Sequence, residues 1–136
     1  MLTTESPIFQ DVIKSFNTKI GTVFIFDNYI ITEFKEGIDI NFENHYEVSI
    51  IIQNHFKDKP FGFLANRINS YSINLSDAHL FNEAFPNCKA YAITYYNEIS
   101  EKVMTLENQF FKFNRKAFKN LKQATDWIKS TLESGE

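Results

Sequence analysis

Phe61-Gly62-Phe63-Leu64-Ala65 is the stretch on which the fold turns. It is a nearly continuous apolar run between the polar turn Lys57-Asp58-Lys59-Pro60 and a polar loop from Asn66 to Asn74. A run of this kind suits a strand covered on both faces, as in a mostly parallel sheet. Upstream, Val48, Ile51, Ile52 and Phe56 recur at helical spacing, and Glu47, Gln53 and Asn54 break any alternation. This predicts a helix from Asn41, as N-cap with Glu43 in the first turn, to Phe56. Further upstream, Thr22 to Phe26 and Tyr29 to Phe34 flank Asp27-Asn28, residue types that tolerate the positive φ of a type I′ turn. They predict a β-hairpin ended by Lys35-Glu36-Gly37.

Downstream of the run, Ser76 is the expected cap of a helix reaching Phe85, with Asp77 in its first turn and Pro86-Asn87 as its stop. Lys89 to Tyr95 reads as a strand. Ile99, Val103, Leu106 and Phe110 are spaced four, three and four, which predicts an amphipathic helix with that stripe in the core. A short strand at Lys116 to Phe118 follows, and Asn120 caps a last helix carrying Leu121, Ala124, Ile128 and Leu132. Strands alternating with helices imply parallel pairing through right-handed crossovers. The expected fold is an α/β mixed sheet of about five strands, opening with the hairpin. Residues 19–133 form the expected single domain and 134–136 a tail. In segment 1–18, Ile8, Phe9, Val12, Ile13 and Phe16 predict a short helix after Ser6-Pro7.

A chain of 136 residues suits one domain. Folding buries roughly two thirds of the surface at this size, enough for a core without disulfides or structural metal. With 43% hydrophobic residues the chain is not disordered over most of its length. No apolar run approaches the ~20 residues of a membrane span. The formal net charge of −3 lacks the basic signature of a nucleic-acid binder. The one cysteine, Cys88, excludes an internal disulfide and fits a reducing compartment. The first residues show no basic stretch leading into an apolar one, so the expected location is cytoplasmic.

Three stretches carry a family resemblance: the hairpin TVFIFDNYIITEF, the central strand FGFLAN running into a polar loop, and the ending KAFKNLKQATDWI. The chain resembles STAS-like (anti-sigma-factor-antagonist-like) small bacterial proteins, closest to an uncharacterised stand-alone branch, from about Ile20 to Leu132. The resemblance implies a non-enzymatic domain that binds protein partners. In the family's regulatory members a serine after the central strand is phosphorylated; it follows Asp and precedes a small residue and Gly. Here the loop reads Asn66-Arg-Ile-Asn-Ser-Tyr-Ser-Ile-Asn-Leu-Ser76, with neither an Asp-Ser pair nor a Gly. Ser70 and Ser72 stand nearest and do not match. Larger lipid-binding relatives of the CRAL-TRIO type share the fold class and have extra helices that this chain lacks.

That loop lies at the carboxyl end of a central strand, the ligand side of an open α/β sheet. Arg67, one of two arginines, is suited to hold an anion or carboxylate bidentately. Asn69, Ser70, Tyr71, Ser72 and Ser76, with His79 on the following helix, complete the expected partner-binding set. The competing reading is that Ser76 merely caps and Ser70 and Ser72 shape the turn. His79 and Glu83 share a helix face but are too few for a closed metal site. His45 and His55 are expected to face solvent. Cys88 follows a helix, where the dipole disfavours a thiolate, so it is read as packing. GxSxG, GxGxxG and P-loop patterns are absent.

Between Asn108 and Lys129, six basic residues (Lys112, Arg115, Lys116, Lys119, Lys122, Lys129) meet Asp126 alone, among Phe110, Phe111, Phe113, Phe118 and Trp127. Such a patch can bind single-stranded nucleic acid. The reading taken is a solvated face over core aromatics, so nucleic acid is not the expected partner. The expected function is a non-enzymatic STAS-like interaction or regulatory module without catalytic residues, metal or cofactor. It would present the Arg67–Ser76 loop and neighbouring helix to a protein partner, with a homodimer through exposed aromatic edges. The alternative is a binder of a small apolar or amphipathic ligand between sheet and helices.

Overall fold

The computed structural model describes residues 1–134. The last two residues of the expected tail lie outside them. The main sheet has six strands: β1 (Lys14–Thr18), β2 (Gly21–Ile25), β3 (Tyr29–Phe34), β5 (Phe61–Asn66), β7 (Cys88–Thr94) and β8 (Arg115–Phe118), in the spatial order β1-β2-β3-β5-β7-β8. The first two pairings are antiparallel and the other three parallel. Two short strands, β4 (Asp39–Ile40) and β6 (Ser72–Ile73), pair in parallel beside it. The helices are α1 (Tyr46–Phe56), α2 (Ala78–Ala84), α3 (Glu98–Glu107) and α4 (Leu121–Glu133).

Alternation along the strands splits the core into two layers. On one face, Val23, Ile25, Ile30, Phe63 and Ala65 pack with Val48, Ile52 and Phe56 of α1, Phe81 of α2 and Met104 of α3. On the other, Phe24, Ile31, Leu64, Ala90 and Ala92 meet Leu121, Ala124 and Ile128 of α4, with Ile8, Phe9 and Val12 alongside. All six residues of β5 are buried, as its apolar run requires. Gly62 is the point of closest approach: a Cβ there would overlap Ile128 of α4. Asn120 caps α4, its Oδ1 accepting from Gln123 N–H at 2.9 Å.

Several expectations are corrected. The expected mixed sheet is present, and its sixth strand is Lys14–Thr18, which pairs at the edge and takes residues from the helix expected in segment 1–18. Segment 1–18 keeps two 3-10 turns, Thr3–Glu5 and Pro7–Asp11, the second of them after Ser6 where the helix was expected. The hairpin connection Asp27-Asn28 is present, yet neither residue has a positive φ. The Asn28 carbonyl is instead turned to accept from Gly62 N–H at 3.0 Å, tying the turn to β5. Asn41 caps a turn ahead of α1, not α1 itself: Asn41 Oδ1 accepts from Asn44 N–H at 2.7 Å, and Asn44 Oδ1 from Asn41 N–H at 2.9 Å. Ser76 does not cap α2; Asn74 Oδ1 accepts from Ser76 N–H, and a 3-10 turn, Leu75–Asp77, leads into the helix. The expected polar loop contains β6.

Candidate interaction site at the carboxyl ends of the strands

The parallel strands β3, β5 and β7 end together, and two polar centres form there. β5 ends in Asn66-Arg67, and successive residues of a strand point to opposite faces. Arg67 turns toward the α1–α2–α3 side. Its Nη2 donates to Glu107 Oε2 at 2.9 Å, with both side chains almost wholly buried, and its guanidinium lies 4.6 Å from the Tyr71 ring centroid. Arg115 Nη2 donates to the other oxygen, Glu107 Oε1, at 3.0 Å, and its Nε donates to Asn108 Oδ1. The Arg115 guanidinium also sits over Tyr91 and Phe111. Both arginines of the chain thus clamp one buried carboxylate. Burial works against the charge on Arg67, and Tyr71 and Glu107 more than offset it, so its pKa is raised.

Arg67, expected to hold an anion or a carboxylate, holds the carboxylate of the chain's own Glu107 and is 5% exposed. Asn69, Ser70 and Tyr71 stay close to it. With Arg67 they line a small cleft against Ile99, Ser100 and Val103 of α3. The loop is tethered from beneath, because Asn69 Nδ2 donates to Phe34 O and Ser70 N–H to Glu36 Oε2. Ser72, Ser76 and His79 do not line this cleft. Ser72 Oγ donates to Asp39 Oδ1 at 2.7 Å, and Ser76 and His79 are exposed beyond it.

The clamp also orients α3. Ser100, Met104 and Glu107 face inward. The stripe expected in the core is turned out instead: Ile99 is 75% exposed, Leu106 50% and Phe110 42%, with Val103 half-buried. The two stripes are neighbours on the helix, so spacing alone fits either. The buried pairing of Glu107 with two arginines decides between them. The single signal in the sequence was that Arg115 is the other arginine.

The second centre lies on the α4 side. Asn66 Nδ2 donates to Glu33 Oε2 and to Met1 O, both at 3.0 Å. Asn66 Oδ1 accepts from Thr94 Oγ1 and from the Tyr96 hydroxyl, both at 2.6 Å. Thr3 adds two donors to Glu33 Oε2, its backbone N–H at 2.7 Å and its hydroxyl at 2.6 Å. None of these residues was singled out by sequence.

Deeper in the fold, His45 corrects another expectation: it is buried, not solvent-facing. Its Nδ1 is 2.8 Å from Ser49 Oγ, the rings of Phe34, Phe81 and Phe85 surround it, and burial lowers its pKa to about 4. His55 is exposed. Cys88 is buried, and burial pushes its thiol up to about 12. Phe34, His45, Phe61, Phe81, Cys88 and Tyr91 are among the walls of a cavity of about 30 Å³. Among the described residues no group of three or more His, Cys, Asp or Glu is placed to hold a metal, and no helix is long and apolar enough to cross a membrane.

Six-stranded mixed sheet, helices on both faces and opening hairpin define a SpoIIAA-like, that is STAS-like, α/β fold. A similar solved structure is an uncharacterised protein of the DUF3478 family with a SpoIIAA-like fold from Shewanella loihica. It is 15% identical with a TM-score of 0.54, over 85% of this chain and 90% of that one. No protein-family model and no curated protein matches the chain.

Proposed function

We propose that the chain is a non-enzymatic protein-interaction module of the cytoplasm whose working surface is the outward stripe of α3 with the adjoining Asn69–Tyr71 loop. The observation that carries this is the exposure of Ile99 and Leu106 on one side of a helix whose other side is fixed by Glu107, with Phe110 exposed in the turn that follows it. Large apolar side chains gathered in water mark an interaction surface. Within α3 the spacing of four and three from Ile99 through Val103 to Leu106 is that of a helix–helix seam.

The partner with matching chemistry is a second copy. Glu98 and Glu101 stand at the start of α3 and Lys112 just past its end. An antiparallel two-fold pairing brings acidic start against basic end, and a parallel one sets like charges together. One helix per copy gives an interface at the small end of the range, that of weak and transient pairs. Sedimentation equilibrium tests this. A concentration-dependent dimer lost in the double variant Ile99→Glu/Leu106→Glu supports the assignment; a wild type monomeric to roughly 200 μM overturns it.

Catalysis has little to draw on. Among the described residues the hydroxyl–imidazole pairing of Ser49 with His45 is sealed among phenylalanines, and the thiol of Cys88 is held protonated. For the ligand-binding alternative, the enclosed cavity of about 30 Å³ takes one water, so α2 would have to move off the sheet there to admit a larger molecule.

A further inference from the structure

Residues Met1–Glu5 lie across the carboxyl ends of β3, β5 and β7 in a manner that differs from the rest of the fold. Thr3 is fully buried, but Met1 is 59% and Leu2 42% exposed, and Thr4 and Glu5 also face water. The apolar side chains of the segment therefore add little to its hold. What holds it is polar and directional. One carboxylate oxygen of Glu33 takes both the N–H and the hydroxyl of Thr3, and the Asn66 amide takes the carbonyl two residues upstream. Thr94 and Tyr96 fix Asn66 from behind, using its oxygen so that its NH₂ group points forward. Hydrogen bonds to a carboxylate are the strong kind, and Glu33 is half-buried, so its oxygen depends on these donors in place of water.

We propose that Glu33, Asn66, Thr94 and Tyr96 form a peptide-binding site for a short segment that turns at a central threonine or serine, filled in cis by Met1–Glu5 and able to take the same segment from a partner polypeptide. The recognition is chemical. Main-chain groups and one hydroxyl make every polar contact with the site, and the Glu5 side chain accepts from Leu2 N–H to hold the turn, so the side chains of Met1, Leu2 and Thr4 are free to vary. Valine in place of the threonine fails for want of the hydroxyl donor. Phosphothreonine fails because its phosphate would meet the Glu33 carboxylate. The segment can lift without dismantling the core, because Ile8, Phe9 and Val12 anchor the chain behind it, with Phe9 edge-on to Phe24 at 6.0 Å. The site is on the α4 side of the sheet and does not depend on the α3 surface proposed above.

The test uses the full chain with Thr3→Pro. Position 3 opens a 3-10 turn, and Leu2 before it is extended with φ −67° and ψ 148°, so proline fits the backbone. It removes both donors and frees the site. The probe is a dye-labelled peptide of sequence MLTTES, followed by fluorescence anisotropy. The expected result is binding at least ~10-fold tighter to the Thr3→Pro chain than to wild type, since the wild-type site is already occupied. Binding should be lost on adding Glu33→Gln, and lost with valine or phosphothreonine at the peptide's first threonine. A folded Thr3→Pro chain that ignores the peptide, or binds it regardless of Glu33→Gln, overturns the proposal. Should that variant fail to fold, hydrogen exchange of the wild type decides. Leu2–Glu5 amides opening at least ~10-fold more often than those of β3 support an exchangeable segment, and equal protection overturns it. The Ile99→Glu/Leu106→Glu variant should bind and exchange as its parent does, so failure here and failure of the α3 surface are separately readable.

Discussion

Asn66 and Arg67 are consecutive, yet they serve opposite faces of the sheet: Asn66 completes a neutral-and-carboxylate network with Glu33, and Arg67 completes a two-arginine clamp on Glu107. The end of the central strand is thereby pinned from both sides, and each pin has a measurable consequence.

The clamp predicts asymmetry between removing its carboxylate and removing all of it. Glu107→Ala leaves two buried guanidinium groups uncompensated and should cost about 3–5 kcal/mol in urea unfolding. Replacing Arg67, Glu107 and Arg115 together by methionine, leucine and methionine should cost far less than that single change. A Glu107→Ala chain as stable as wild type would show that the clamp is not closed in solution.

The orientation of α3 predicts opposite outcomes on its two sides. Ile99→Glu and Leu106→Glu should change stability by no more than about 0.5 kcal/mol, since both side chains are already in water. Met104→Ala, one of the inward residues, should cost about 2–5 kcal/mol. The reverse order would place the apolar stripe in the core.

His45 predicts a pH dependence. Its pKa falls from 6.5 unfolded to about 4 folded, so below pH 6.5 the unfolded chain takes up a proton that the folded chain refuses. Stability from this residue is present above pH 6.5, declines as pH falls, and is fully lost by about pH 4, with a span of roughly 3 kcal/mol. His45→Gln, which can still reach Ser49, should flatten that part of a stability-against-pH curve.

Cys88 should be inert while the protein is folded. Burial and a thiol held protonated predict labelling by a disulfide reagent at pH 8 at least ~100-fold slower than in denaturant. Fast labelling of the native protein would mean that α2 and β7 open readily.

Where side-chain patterns are strong and local, sequence and structure agree. β5 and β7 are apolar runs, and α4 has its Asn120 cap and its Leu121–Ala124–Ile128 stripe. β1 escaped because Lys-Ser-Phe-Asn-Thr is polar and mostly exposed, as an edge strand is. β4 and β6 are two residues each, too short for any period to register. In α3 two adjacent stripes compete, and the apolar one loses to a glutamate whose partners sit in other elements. The site divides likewise. Arg67 to Tyr71 was marked by its position after a central strand. The partners that define the site are distant in sequence: Met1 is 65 residues from Asn66, and Arg67 is 40 from Glu107. Such pairings leave no local trace. His45 had nothing in its neighbourhood to separate a buried imidazole from an exposed one.

The two outer strands limit how these molecules can meet. β1 carries Lys14 on an exposed edge, and β8 is four residues long with Lys116 exposed at the other. Charged, short edges resist extension by a neighbour's strand. Edges guarded in this way disfavour end-to-end addition of one sheet to another when the protein is crowded.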